Sequence, residues 1–298
     1  MDWIAVDWGT SALRAWAIGA DGAVLDEARS GDGMGSLDRE GYEPALLRLI
    51  GAWLPAKPAR PIQVIVCGMA GARQGWREAP YRSVPCAPVG GDQLEPVATT
   101  ETRISVSIVP GLSQAGPPDV MRGEETQLAG LAAKLGPATA TVCMPGTHSK
   151  WVSLDRGKVT GFTTFMTGEA FALFAERSVL RHSVDAADTD GDAFGSAVAE
   201  TVDRPERLTS ALFGIRAGSL LEGASAATAR SRLSGLLIGA ELAAVRPQWD
   251  GRNVHIVGAS ALAASYAAAL EQLGGKPVIE DAEELTLAGL AAARSSIA

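Results

Sequence analysis

Cysteine and histidine are scarce in this chain, with three of each among 298 residues. Cys67, Cys86 and Cys143 are odd in number and show no CxxC spacing, and His148, His182 and His255 form no ligand cluster with them. That pattern indicates neither a disulfide framework nor a zinc site, and a reducing cytoplasm fits it best. Aromatic residues make up 5% of the chain, and its tryptophans are not interleaved with basic residues, so stacking on nucleic acid is not expected. Positive charge is the rarer sign: 26 Lys and Arg stand against 34 Asp and Glu, a net charge of −8 that repels polyanions and anionic membranes. No charged-then-apolar leader opens the sequence and no apolar run reaches ~18 residues, so neither a secretion signal nor a membrane span is expected.

What is present is a globular composition, 47% apolar and 20% charged. At roughly 100–200 residues per domain, the length favours two domains. The sequence then shows an internal duplication. Trp3-Ile4-Ala5-Val6 reads as an apolar strand ending at Asp7, Trp8-Gly9-Thr10-Ser11 as a turn, Leu13 to Ile18 as a second strand, and Asp21-Gly22 as a turn into Ala23 to Ala28. The pattern returns as Thr141 to Met144, the turn Pro145-Gly146-Thr147-His148-Ser149, Trp151 to Leu154, and Asp155-Arg156-Gly157 leading into Lys158 to Phe165. Downstream, helical stretches alternate with strands in both halves, as parallel pairing requires. In the first half these are Pro44 to Leu54, Ile62 to Cys67, Ile104 to Val109 and Glu124 to Leu135. In the second they are Ser234 to Val245, Val254 to Val257, Ala259 to Leu273, Pro277 to Ile279 and Glu283 to Ala293. Each half is a βββαβαβα unit, the middle helix of the first, between Gly68 and Ile104, being its least defined element. The acidic, weakly periodic segment from Asp185 to Arg207 reads as a surface excursion.

A Gly-Thr turn between strands offers backbone N–H groups and hydroxyls to an anion, because glycine lets the chain approach closely. One such hairpin is most often only a turn. Here two occupy matching places, and each is followed by a cation, Arg14 or Lys150. If the halves face each other, both loops point at one phosphate chain.

The order Val6-Asp7-Trp8-Gly9-Thr10-Ser11, Pro145-Gly146-Thr147-His148-Ser149-Lys150 and Ile256-Val257-Gly258-Ala259-Ser260 resembles the phosphate-1, phosphate-2 and adenosine motifs of the sugar kinase, hexokinase, heat-shock chaperone and actin superfamily. Within it, Gly68-Met69-Ala70-Gly71-Ala72-Arg73, Met121-Arg122-Gly123-Glu124-Glu125-Thr126-Gln127 and Phe165-Met166-Thr167-Gly168-Glu169 resemble the 2-dehydro-3-deoxygalactonokinase family. The resemblance covers the whole chain. It implies an α/β fold of two ribonuclease H-like domains, residues 1–136 and 137–298, facing across a cleft as in actin-like ATPases. It also implies ATP-dependent phosphorylation of 2-dehydro-3-deoxy-D-galactonate at its 6-hydroxyl, with ATP and Mg²⁺ as cofactors. The partners would be the small sugar acid and ATP, with no nucleic acid and no membrane; a homodimer is compatible with this.

By the same resemblance, Asp7 orients the hydrated Mg²⁺, where otherwise it would only cap the Gly9 turn. Gly9, Thr10, Ser11, Gly146, Thr147, Ser149 and Lys150 hold phosphates, His148 either joins them or fills the turn, and Gly258 lets a helix approach the purine. Phosphoryl transfer calls for a carboxylate near the attacking oxygen. Glu124 and Glu125, at a helix start after Arg122-Gly123, are the first candidates and Asp119 a third, although acidic residues favour helix starts for electrostatic reasons alone. A sugar acid's carboxylate prefers a planar guanidinium, for which Arg73 and Arg122 are available, with Arg14 a further phosphate or substrate contact. Each could equally be a surface arginine. Thr167 and Glu169 stand where the resemblance places sugar-hydroxyl contacts, and also read as a plain helix start. Rival readings are a kinase of another sugar, a nucleotide-gated regulatory protein, and a phosphatase on the same scaffold.

Overall fold

The computed structural model describes residues 1–90, 93–185 and 188–295. In chain order the first elements are β1 (Trp3–Trp8), β2 (Leu13–Ile18), β3 (Val24–Ser30), α1 (Tyr42–Ile50), β4 (Ile62–Gly68), β5 (Arg82–Ser83), β6 (Glu95–Val97), β7 (Ile104–Ile108), β8 (Leu112–Ala115), β9 (Pro118–Met121) and α2 (Glu124–Leu135). Six of the strands form one sheet in the order β3-β2-β1-β4-β7-β6. β1 runs antiparallel to β2 and parallel to β4, and β4 parallel to β7. Both faces of β1 are covered, which explains its unbroken apolar run; only Asp7 in it is not fully buried. One face packs against α1 and the ring cluster of Trp8, Tyr42 and Trp76, with Trp8 4.8 Å from Tyr42 and 5.9 Å from Trp76. β5, β8 and β9 form a separate three-stranded sheet.

The second series is β10 (Thr139–Met144), β11 (Ser149–Asp155), β12 (Lys158–Phe165), α3 (Thr167–Arg177), α4 (Gly191–Asp203), α5 (Leu208–Leu221), α6 (Ala226–Ala244), α7 (Arg246–Trp249), β13 (Asn253–Val257), α8 (Ser260–Gln272), β14 (Lys276–Glu280) and α9 (Ala282–Ser295). Its sheet has the order β12-β11-β10-β13-β14, with β13 parallel to both β10 and β14. The same spatial order, third strand, second, first, then parallel crossovers, thus occurs twice, and the doubled α/β fold is the one expected. Two compact units result: Met1–Thr139 with Leu154–Gly161 and the segment from Ala282 onward, and Ala140–Ser153 with Phe162–Asp281. The chain returns at its end to the first unit, where α9 packs along α2 and covers the second face of β1 and β4 through Leu290 and Ala293.

Two local expectations are corrected. No α-helix lies between Gly68 and Ile104 among the described residues; a 3₁₀ turn at Met69–Gly71 and the short strands β5 and β6 take its place. Nor is the segment from Asp185 to Arg207, over its described residues from 188 onward, an excursion. Asp190 caps α4 by accepting from the Ala193 N–H, and Ala197, Val198, Thr201 and Val202 are buried against α6. Contact is close because Gly235 and Gly239 of α6 have no side chains: a Cβ there would lie 2.4 Å from the Phe194 carbonyl oxygen and 2.6 Å from that of Val198 respectively. Among the described residues, no helix is long and apolar enough to cross a membrane.

Candidate functional site

In the first unit the Gly9 turn is closed by the Gly9 N–H donating to the Ala12 carbonyl at 2.8 Å, leaving Thr10 and Ser11 exposed. The turn rests on the segment Gly31-Asp32-Gly33-Met34-Gly35, which donates from Met34 N–H to Gly9 O and from Gly35 N–H to Thr10 O. This glycine-rich brace escaped sequence reasoning, although its spacing is visible. Asp7 sits opposite Arg14 in the β1–β2 register, and the two side chains form an ion pair. Arg14 also reaches Glu283 at 3.2 Å, and Glu283 takes Arg29 at 2.9 Å. Burial works against the Arg14 cation, but the Asp7 and Glu283 carboxylates outweigh it and raise its pKa. Arg14 is thus engaged with Asp7 in this structure. The other Asp7 oxygen faces the Cys67 thiol at 3.7 Å.

The Gly68-to-Arg73 stretch begins against Asp7. Gly68 adopts φ +87°, and a Cβ on it would lie 2.6 Å from the Trp8 carbonyl oxygen and 3.4 Å from the Asp7 carboxylate. Gly71 leaves room for Arg122, whose Nη1 would be 2.6 Å from a Cβ there. Arg122 donates from Nη2 to the Ala79 carbonyl at 2.7 Å and lies 4.5 Å over the Tyr81 ring. Its Nε and Nη1 are buried without an acceptor. Unpaired buried donors on a cation are costly, so this side chain is an exception that calls for a reason. Arg73 is exposed, and its own carbonyl accepts from Arg39 at 3.0 Å.

The carboxylates at the start of α2 differ in setting. Glu124 is partly exposed and accepts the Arg122 N–H at 3.1 Å; Glu125 is fully buried, accepts the Gly123 N–H at 2.7 Å and meets Thr126 Oγ1 at 3.2 Å. Burial, with the neighbouring Glu124 charge, pushes the Glu125 carboxyl up to about 8, against the pull of backbone N–H groups and Arg122. Burial also raises the Cys67 thiol, helped by Asp7 and Glu125. Asp119 lies on β9 opposite Gln114 and accepts the Val120 N–H at 2.8 Å.

The buried Glu125 makes stability pH-dependent in a stated direction. Between about 4.5 and about 8 the unfolded chain releases this proton while the folded chain keeps it, so stability is full below that window and falls as pH rises through it. Glu125→Gln keeps the shape and removes the titration. Its melting temperature relative to the unsubstituted chain is expected to be higher at pH 8 than at pH 5, by the equivalent of a few kcal/mol (on the order of three pKa units). Melting curves at the two pH values check this; an equal difference at both refutes it.

In the second unit the loop Gly146-Thr147-His148 leads into the buried Ser149 and Lys150. Lys150 donates to the His148 carbonyl at 3.2 Å, and the His148 ring meets Glu169 at 2.6 Å, so these two predicted site residues stand together. The start of α3 abuts the loop: Glu169 N–H donates to the Thr147 carbonyl at 2.9 Å, and a Cβ at Gly168 would lie 2.3 Å from the Gly146 carbonyl oxygen. A Cβ at Gly258 would come 2.9 Å from the Pro145 carbonyl oxygen, which places that glycine against the same loop. Beside the loop opens a cavity of about 650 Å³ between α3, α4, α6 and α8, with Phe171, Phe194, Leu237, Ile238 and Leu262 on its apolar wall. Arg230 lies at its side, 4.9 Å over the Phe171 ring. Beneath it, the carboxylate of Glu241 accepts from Ser149 Oγ (2.7 Å), Trp151 Nε1 (2.8 Å), Tyr266 OH (2.9 Å) and Thr167 Oγ1. Sequence reasoning missed Glu241. Its signal was a single charge between Arg232 and Arg246.

Residues 7–293 match the family model described as 2-keto-3-deoxy-galactonokinase. The chain is 47% identical, over 98% of its own length and 96% of the relative's, to a protein of Rhizobium meliloti (strain 1021) named as a probable 2-dehydro-3-deoxygalactonokinase. It is 35% identical to the 2-dehydro-3-deoxygalactonokinase of Escherichia coli (strain K12), over 91% and 90% of the two chains. A crystal structure of a candidate 2-dehydro-3-deoxygalactonokinase from Sinorhizobium meliloti superimposes with a TM-score of 0.91 at 45% identity, covering 99% of each chain. With the doubled fold and its paired Gly-Thr loops, these matches define an enzyme of the carbohydrate kinase class. Within that class, the chain belongs to the 2-keto-3-deoxy-galactonokinase family.

Proposed function

We propose that the chain transfers the terminal phosphoryl group of ATP to the 6-hydroxyl of 2-dehydro-3-deoxy-D-galactonate, in the cytoplasm, with Mg²⁺ carried by the nucleotide. The observation that carries this reading is Arg122: a cation with buried, unpaired donors stands two residues before a partly exposed carboxylate, Glu124. One suits an acceptor that bears a carboxylate, the other an acceptor that must lose a hydroxyl proton.

The second unit would serve the donor. Its cavity has an apolar wall of a size and composition that suit a purine, and the Gly146-Thr147 turn at its edge offers backbone N–H groups and a hydroxyl to the phosphates that follow. Gly258, Ser149 and Lys150 would shape and charge that loop. The first unit would serve the acceptor: Thr10 and Ser11 on the exposed turn meet phosphate, and Arg73 adds a second guanidinium for the acid. Among the described residues, no three His, Cys, Asp or Glu side chains are grouped to hold a metal by themselves. A single carboxylate suits Mg²⁺, which keeps most of its waters and binds phosphate oxygens. Asp7, held by Arg14, would orient that hydrated ion, and Arg14 would act through Asp7. Bound Mg²⁺ supplies charge neutralisation at the phosphates. Glu124 takes the hydroxyl proton as the new O–P bond forms and the bond to ADP breaks.

A coupled assay of ADP release, run against 2-dehydro-3-deoxy-galactonate, its gluconate epimer and neutral hexoses, with NMR of the product ester, tests the reading. Turnover that requires the keto acid and yields an ester at carbon 6 supports it. Turnover confined to neutral sugars, phosphate release without an acceptor, or nucleotide binding without turnover would each overturn it.

A further inference from the structure

Glu241 is 2% exposed and lies on α6, yet its carboxylate gathers donors from three other elements. Ser149 and Trp151 come from β11, Thr167 from the first position of α3, and Tyr266 from α8. All four are neutral N–H or O–H groups, so the charge is stabilised by oriented dipoles and by no counter-cation among the described residues. A buried carboxylate is expensive, and one sustained this way needs every donor in place. Conversely, each donor's position is fixed by the one acceptor they share. Two of the donors bracket the Gly146-Thr147-His148 turn: Ser149 follows it in β11, and Thr167 precedes Gly168, whose bare Cα lets α3 press on the Gly146 carbonyl. Thr167 and Tyr266 also line the 650 Å³ cavity beside that turn.

We propose that Glu241 is a positioning residue for the nucleotide: by holding Ser149, Thr167 and Tyr266 on one carboxylate, it sets the shape of the Gly146-Thr147 loop and the cavity next to it. Glu241 itself touches no ligand. This inference rests on the reading of that cavity as the nucleotide site. A carboxylate accepts on both oxygens, whereas an amide must set its N–H₂ either against the Trp151 indole N–H or toward the hydroxyls that previously donated, so the loop loses its single arrangement.

Glu241→Gln separates positioning from mere folding. The full-length variant is expected to melt cooperatively, while Kd for a non-hydrolysable ATP analogue and KM for ATP rise by about 10- to 100-fold and KM for the sugar acid stays within about twofold. Glu241→Asp, which keeps the charge but shortens its reach, should recover part of the ATP affinity. Where Glu241→Gln does not fold, Ser149→Ala gives the reading: it removes one spoke from an intact hub, and KM for ATP should again rise while that for the sugar acid does not. An unsubstituted chain that binds ATP beside a folded Glu241→Gln or Ser149→Ala chain with the same Kd and KM overturns the inference alone. Equal losses for both substrates overturn it too, by showing a purely structural role. An unsubstituted chain that binds no ATP overturns the nucleotide reading first, and this inference with it.

Discussion

Glu124→Gln is expected to lower kcat by about two to four orders of magnitude, with KM for ATP and for the sugar acid little changed. Gln keeps the length and the acceptor that holds the Arg122 N–H, so the helix start survives and only the proton-accepting capacity is lost. Glu125→Gln is the internal control. Glu125 is fully buried and its carboxyl, pushed up to about 8, is mostly protonated at neutral pH, so it can neither reach an acceptor hydroxyl nor take its proton. Its removal should leave most of the turnover. The two variants therefore divide what the adjacent pair does: one residue for proton transfer, the other for packing the turn through Gly123 and Thr126. Steady-state rates on both variants decide this. Loss only in Glu125→Gln reverses the assignment, and unchanged rates in both move the base to Asp119.

The contrast between Glu124 and Glu125 shows where the amino-acid sequence stops being legible. Both are Glu at a helix start, and nothing local says that one of them is buried; that follows from the packing of α2, which brings Glu125 close enough to Cys67 of β4 for its charge to raise the thiol. What was legible had a local cause. β1, buried on both faces, leaves a continuous apolar run, and α2 is bounded by Gly123 and Gly136, both at positive φ, so its ends could be placed to the residue. The Asp7–Arg14 pair was legible in principle: an antiparallel hairpin turning at Gly9 to Ala12 sets the two opposite each other.

The rest depended on partners remote in the chain. α4 does carry an apolar stripe, with Ala197, Val198 and Val202 buried, but acidic residues flank it and its contact with α6 is made at glycines, where backbone meets backbone, so its burial did not show. β5, β6, β8 and β9 are two to four residues long, too short for alternation to show. That α9 is amphipathic was readable, but that it closes the first unit and not the second was not, because periodicity says that a face is buried and not against what. Glu241 carries the same lesson at the site: three of its four donors lie 74 to 92 residues away.

Arg122→Gln should cost about 2–4 kcal/mol in kcat/KM for the sugar acid, a factor of about 30 to 1000, while KM for ATP holds. The size follows from the setting. Gly71 clears the space, Tyr81 covers the guanidinium, and the Ala79 carbonyl fixes one nitrogen, so the remaining donors are held in place before any acceptor arrives. Such preparation strains the ligand-free chain. Gln gives up the Ala79 bond and the ring contact, but it also removes a cation with unpaired buried donors, so the two effects oppose and the ligand-free melting temperature should move little. The sugar acid should raise the melting temperature of the unsubstituted chain, by mass action on the folded state, and fail to raise that of the variant. Arg122→Lys keeps the charge without the planar fork and is expected to fall between the two. A variant that loses several kcal/mol of stability yet keeps the sugar-acid KM would make Arg122 a core residue, and would shift recognition of the acid to Arg73, the exposed guanidinium at the end of the same glycine-rich turn.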